Sequence, residues 1–266
     1  MVGVNGLGAV TNKAIQNEAS RRYVEAIWAE RLREEGFICP DNKLLCWYRV
    51  VNREIVHFIC FNTNHTIIPV WLNVVWGAYP LFVQPYYIRN VHDSAHSYNF
   101  DMSGWTPIHE EGVTTRYFRD DIPAYVPAGG TCGLWLLDAR ILPWLGRCQT
   151  ETSCYQTHMS NLLSRTNAIE NGRYVGNISP DLVAYAIYKE DLSTYPNWLE
   201  KATHYVESLT QDCLNKPTNQ QFRHSLQEWT NMLRVLQGGN REEFILQLEH
   251  KKQKTLKWLK KMGILA

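Results

Sequence analysis

Histidines and carboxylates crowd one stretch of this sequence: His92-Asp93-Ser94-Ala95-His96, then Asp101, then His109-Glu110-Glu111. On a helix, His92 and His96 would share a face at i, i+4, a spacing that metal-binding histidines use, and His109 is the third metal candidate. The chemistry this points to is a metal-dependent or hydrolase-like enzyme centred on His92, His96, Asp101 and His109. Against it, the general-base glutamate of H-E-x-x-H is absent and the segment reads as a polar loop. Histidines in such loops are ordinarily solvent-exposed titrating groups, so no cofactor is expected.

Nucleophilic and phosphate chemistry find less footing. No G-x-S-x-G occurs, and Cys132, in Gly130-Thr131-Cys132-Gly133, has only its glycine-flanked loop to recommend it. A reactive thiol needs a neighbouring base or helix dipole, and without one Cys132 reads as a buried thiol. The glycines of Gly3-Val4-Asn5-Gly6-Leu7-Gly8 have the wrong spacing for a phosphate loop, and no strand precedes them.

A second set of residues suits binding rather than catalysis. Trp71, Trp76, Tyr79, Tyr86, Tyr87 and Trp105 accompany Gln84, Arg89 and Asn90 around a segment broken by Pro80, Pro85 and Pro107. Aromatic residues and arginine are favoured interface anchors, and long loops beside a sheet often carry function. Trp71, Trp76, Tyr86, Tyr87, Arg89 and Trp105 are therefore the binding candidates. The competing reading is that these rings plug the open face of a sheet. A non-enzymatic binding or interaction protein, engaging a protein partner or small ligand through the sheet face and the 77–130 loops, is the first functional expectation. The enzyme is the second.

A third patch is basic: Lys251, Lys252, Lys254, Lys257, Lys260 and Lys261 surround Trp258. Contact with nucleic acid would use such a run. The plainer reading is a helix whose acidic first turn (Glu242, Glu243) and basic last turns complement its macrodipole, and that reading is preferred. Formal net charge is +1, from 27 basic and 26 acidic residues, so nothing global steers the chain toward nucleic acid or an anionic membrane. Seven cysteines, an odd number without any C-x-x-C, read as reduced thiols of a cytoplasmic protein. Residues 1–10 have no basic region ahead of an apolar core, so no signal peptide is expected. No run approaches the roughly 18 apolar residues of a membrane span.

The elements that must position these residues can be read from periodicity. Ile15, Ala19, Tyr23, Ala26 and Ile27 keep one face of a helix over 12–35, which Gly36 stops. The period then changes: 44–51, 54–62 and 67–76 are rich in β-branched and aromatic residues. The breaks between them are Asn52-Arg53 and Thr63-Asn64-His65, short enough to demand antiparallel neighbours. In the second strand Ile55, His57, Ile59 and Phe61 share one face, while Val56, Phe58 and Cys60 share the other. Both faces are largely apolar, so the sheet needs two covers.

A short strand is predicted at 113–118, and a helix at 132–146 that Pro143 kinks or ends. From Ser179 the chain is helical, with starts at Ser179-Pro180, near Thr194 to Pro196, after Thr218, and at Asn240. Gly238-Gly239 and Gly263 are stops. The fold class is α+β: an N-terminal helix packed on an antiparallel sheet, followed by a C-terminal helical bundle or lid. Residues 1–10 form a tail, 11–146 the helix-plus-sheet part, 147–178 a connection, and 179–266 the helical region.

The run Glu35-Gly36-Phe37, then Cys46-Trp47-Tyr48-Arg49, then the alternating strand 55–62 resembles an uncharacterised bacterial domain family. In that family a helix ending in Gly-Phe precedes a strand with an aromatic-Arg step and an antiparallel sheet. The resemblance covers residues 17–90, extending toward 145, and its motifs are structural. It implies an α+β fold and bacterial origin, and it carries over no catalytic residue.

Overall fold

The computed structural model describes residues 21, 24–40, 45–64, 71–82, 96–101, 116–117, 131–163, 169–170, 173–174, 180–191 and 198–266. The class is α+β. Among the described residues the main sheet runs β1 (Cys46–Val51), β2 (Ile55–Asn64), β3 (Trp71–Pro80), β4 (His96–Asp101) and β5 (Arg116–Tyr117), each antiparallel to the next. The first two connections, of three and six residues, force antiparallel pairing of β1, β2 and β3, because a parallel crossover needs about a dozen residues. The β1–β2 turn is tight. Asn52 and Arg53 have φ of 51° and 58°, the left-handed pair of a type I′ turn, and Glu54 N–H closes it onto the Val51 carbonyl at 3.0 Å.

Three details differ from the sequence reading. Thr63 and Asn64 belong to β2, paired with Leu72 and Trp71, instead of breaking it. β3 is correspondingly later than 67–76 and ends on Pro80, where a missing N–H costs a sheet least. Residues 96–101, read as part of a polar loop, form β4, because β3 offers six consecutive partners from Trp71 to Trp76. The sequence His-Ser-Tyr-Asn-Phe-Asp is too polar to announce a strand by itself.

Among the described residues the first helix is α1 (Ala29–Glu34), with a helical turn at 24–27 leading into it. Gly36 ends it at φ 78°, while Phe37 N–H reaches back to the Leu32 carbonyl at 2.9 Å. This helix covers the face of the sheet that carries the odd-numbered residues of β1 and β2. Trp28 meets Phe61 edge-on at 5.0 Å, Arg33 lies over Trp47 at 5.5 Å, and Arg49 lies over Phe37 at 4.7 Å.

Beside α1 runs a helical segment made of α2 (Thr131–Leu136), a π-helical turn (Leu137–Ile141) and α3 (Leu142–Leu145), tied to α1 by Arg31 and Asp138 at 3.3 Å. The π turn is where Pro143 is absorbed. Leu142 N–H bonds the Leu137 carbonyl, five residues back, which widens the helix before a residue that lacks an N–H. The helix then stops at Leu145.

The chain next passes around the β1–β2 turn. Asn52 Nδ2 donates to the Gln149 carbonyl at 2.9 Å, and Glu151 N–H donates to the Glu54 carboxylate at 3.0 Å. From there α4 (Glu151–Leu163) crosses onto the other face of the sheet. The sequence reading has only a connection over 147–178. The helix is inconspicuous because Glu-Thr-Ser and Gln-Thr-His dilute its buried stripe of Cys154, Tyr155, His158 and Met159. Phe58 stacks on Tyr79 at 5.5 Å, Tyr79 on His158 at 5.7 Å, and His158 meets the edge of Trp144 at 5.9 Å.

A two-stranded ribbon, β6 (Ile169–Glu170) with β7 (Arg173–Tyr174), precedes the remaining helices α5 (Pro180–Tyr188), α6 (Trp198–Asn215), α7 (Gln220–Leu236) and α8 (Arg241–Lys261). α8 completes the second cover, with Trp258 set edge-on against Tyr48 at 5.6 Å. One continuous core therefore joins Val24 and Leu32 to the sheet and on to Leu248 and Leu259. No helix among the described residues is long and apolar enough to cross a membrane.

Candidate functional site

Two buried histidines are the most conspicuous polar groups beneath the surface, and both are structural links. His57 is fully buried on the α1 face of β2. Its Nδ1 accepts from Arg49 Nε at 3.1 Å, and its Nε2 donates to the Cys148 carbonyl at 2.7 Å. Burial, assisted by the Arg49 charge, pulls its pKa down to about 4, so the ring is neutral and both nitrogens are engaged. A base so occupied takes no proton from a substrate. Arg49 itself continues the line, donating from Nη1 to the Glu35 carbonyl at 2.9 Å at the end of α1.

His158 plays the corresponding part on the other face. Among the described residues β4 pairs with β3 from Trp71 to Trp76, and the carbonyl of Ala78 lies beyond that ladder. His158 Nε2 donates to it at 2.6 Å, and the Cys154 thiol lies 3.6 Å from the same oxygen. Burial holds that thiol well above its ordinary pKa. Both groups terminate a strand edge.

A different kind of surface lies between α5, α7 and α8. On α7 the residues His224, Gln227, Glu228, Asn231 and Met232 recur at three- and four-residue intervals and so form one stripe. On α8 the facing stripe is Phe244, Gln247, Leu248 and Lys251.

The connection between the helices brings the stripes together. Gly239 N–H bonds the Arg234 carbonyl at 2.9 Å and Gly238 N–H the Val235 carbonyl at 3.0 Å, closing α7 with a Schellman motif. Gly238 supplies φ 90°, and a Cβ on Gly239 would stand 2.6 Å from the Arg234 oxygen, so each glycine answers a separate demand. Asn240 then opens α8, its side chain accepting from Glu243 N–H at 3.2 Å.

The two stripes and Ala184 of α5 enclose a cleft of about 220 Å³. Its floor is apolar, with Met232, Phe244 and Leu248 buried. Its rim is polar and carries both signs of charge. Lys251 Nζ lies 2.8 Å from Glu228 Oε1, and His224 Nε2 lies 3.6 Å from the same oxygen. Gln227, Asn231 and Gln247 add amide donors and acceptors.

The residues singled out from the sequence fall elsewhere. Trp76 is buried on the α1 face of β3, opposite Ile59 and His96, and Trp71 opens the same strand opposite Asp101. His96 and Asp101 stand at opposite ends of β4. Tyr86, Tyr87, Arg89, His92, Trp105 and His109 lie outside the described residues. Of the basic patch, Lys251 pairs with Glu228, and Lys252 with Glu151 at 3.2 Å.

His224, Glu228 and Met232 were not singled out from the sequence. Their only signal is the i, i+4 recurrence of His224, Glu228 and Met232, which any amphipathic helix shares. Comparison with family models, with curated proteins and with solved structures finds no match to this chain.

Proposed function

We propose that the protein is a non-enzymatic binding protein whose ligand occupies the cleft between α5, α7 and α8. One observation carries this reading: an apolar floor of Met232, Phe244 and Leu248 beneath a rim of paired charges and amides. Apolar lining with a few convergent polar groups is the usual make-up of a small-molecule site. An apolar cavity of about 150 Å³ accepts benzene. The 220 Å³ here has room for one ring or branched aliphatic group with a polar end against the rim.

The faces of β1 and β2 contribute less, because Phe61 on one side and Tyr48 on the other are buried against Trp28 and Trp258. Membership of the bacterial domain family rests on the Gly36-Phe37 and Trp47-Tyr48-Arg49 motifs, and bacterial origin is part of the same proposal. A cytoplasmic location is supported by the reduced thiols of Cys148, Cys154 and Cys213.

The test is methyl NMR on the full chain with a library of small amphipathic compounds. Compounds that bind should shift the Met232 methyl resonance, and Met232→Trp, which fills the floor, should abolish the response while unfolding stays cooperative. Compounds that bind wild type and Met232→Trp equally well would place the ligand elsewhere and end this reading.

A further inference from the structure

The chemistry of the rim defines the ligand more closely than its volume does. Lys251 and Glu228 bring one positive and one negative group to within 2.8 Å on facing helices, and His224 sits 3.6 Å from the same carboxylate. Lys251 and Glu228 cancel one another, so the pair as a whole carries no net charge. A net anion would find Lys251 already neutralised by Glu228, and a net cation would find Glu228 already held by Lys251. Either would have to displace the partner already in place and so give back much of what it gains.

A ligand with both charges side by side faces no such conflict. Laid against the pair in reverse order, its ammonium group meets Glu228 and its carboxylate meets Lys251, so the four charges alternate around a ring. The neighbouring amides of Gln227, Asn231 and Gln247 can donate to the carboxylate and accept from the ammonium. Directly below, Met232, Phe244 and Leu248 ask for an apolar group a few bonds from those charges. We infer that the cleft binds a free α-amino acid with an apolar side chain, of the leucine or phenylalanine kind, held by both its ammonium and its carboxylate.

This inference rests on the cleft reading above, and its test separates the two. L-Leucine and L-phenylalanine are titrated into the full chain, followed by methyl NMR at Met232 and by calorimetry. Their N-acetyl and carboxamide derivatives are titrated in parallel. Both free amino acids should bind, and either derivative should bind at least about tenfold more weakly, since each leaves one rim charge unanswered. Glu228→Gln should weaken the free acids while narrowing their advantage over the N-acetyl forms.

Derivatives that bind as well as the free acids would overturn the inference without any variant needing to fold. A response at Met232 to uncharged library compounds but to neither amino acid would overturn it too, with the cleft reading left standing. No response to any compound would overturn both.

Discussion

The hydrogen bond from Arg49 Nε to Nδ1 of His57, 3.1 Å long, decides which nitrogen of that ring keeps its proton. With Nδ1 accepting, Nε2 carries the hydrogen and gives it to the Cys148 carbonyl. Arg49 and His57 are cross-strand partners in β1 and β2, so this one pair joins the end of α1, the sheet and the segment that leads into α4. It is the Arg of the aromatic-Arg step, Trp47-Tyr48-Arg49, and its role is to organise the fold.

Acid should loosen this arrangement before carboxylates titrate. His57 titrates at about 4 in the folded chain, against about 6.5 when unfolded. A depressed value means the folded state disfavours the proton. Its contribution is therefore complete above the unfolded pKa and is lost as pH falls through 6.5 toward 4. Urea unfolding at about pH 7.5 and about pH 4.5 should differ by about 2–3 kcal/mol from this residue. His57→Gln should remove that share of the difference, and an unchanged pH dependence in the variant would refute the assignment.

The β1–β2 turn holds Arg53, which has a Cβ, at φ 58°. Arg53→Gly should relieve that conformation and raise the urea midpoint, a gain of about 0.5–1 kcal/mol. A lower midpoint would mean that the arginine side chain contributes more than its backbone costs.

Gly77 answers the ring of Phe58 across β2 and β3. A Cβ there would stand 2.6 Å from Phe58 Cε1, and that ring is fully buried and stacked on Tyr79. Gly77→Ala should cost about 1–3 kcal/mol by overpacking, read as a drop in the thermal or urea midpoint. A wild-type midpoint would show that the ring can yield.

Thiol labelling should follow exposure more than acidity. The Cys148 thiol is made more acidic chiefly by its hydrogen bond with Cys154, yet both are inaccessible to solvent. Iodoacetamide followed by peptide mass spectrometry should mark the half-buried Cys39 and Cys213 in the native protein. Cys46, Cys60, Cys148 and Cys154 should react only on unfolding. Native labelling of Cys148 as fast as Cys39 would contradict this packing.

The sequence exposes the parts of this fold that are governed by local rules. The alternation of 55–62, the stop at Gly36, the Gly238-Gly239 pair and the Asn240 cap all act over a few residues, and each can be read directly. β4 and α4 cannot. Their compositions are polar, and they take their form from partners distant in sequence: Trp71 to Trp76 for β4, and Ala78 and Tyr79 for α4.

The cleft is hidden for the same reason. His224 and Lys251 look like ordinary surface residues until a four-residue link folds α7 back along α8 and Glu228 lies between them. Aromatic density around 71–105 is a louder signal. Yet three rings of that region, Trp76, Tyr79 and Phe82, are buried.

The meeting of Trp258 with Tyr48 has a consequence for how the chain is made. Strands β1 to β3 leave the ribosome well before α8 has been translated, a delay on the order of tens of seconds. Throughout that interval Tyr48 is without the ring of Trp258 that α8 sets against it. The nascent chain thus carries an aromatic ring that it cannot yet bury, and the sheet can be sealed at that point only after Arg241–Lys261 has emerged.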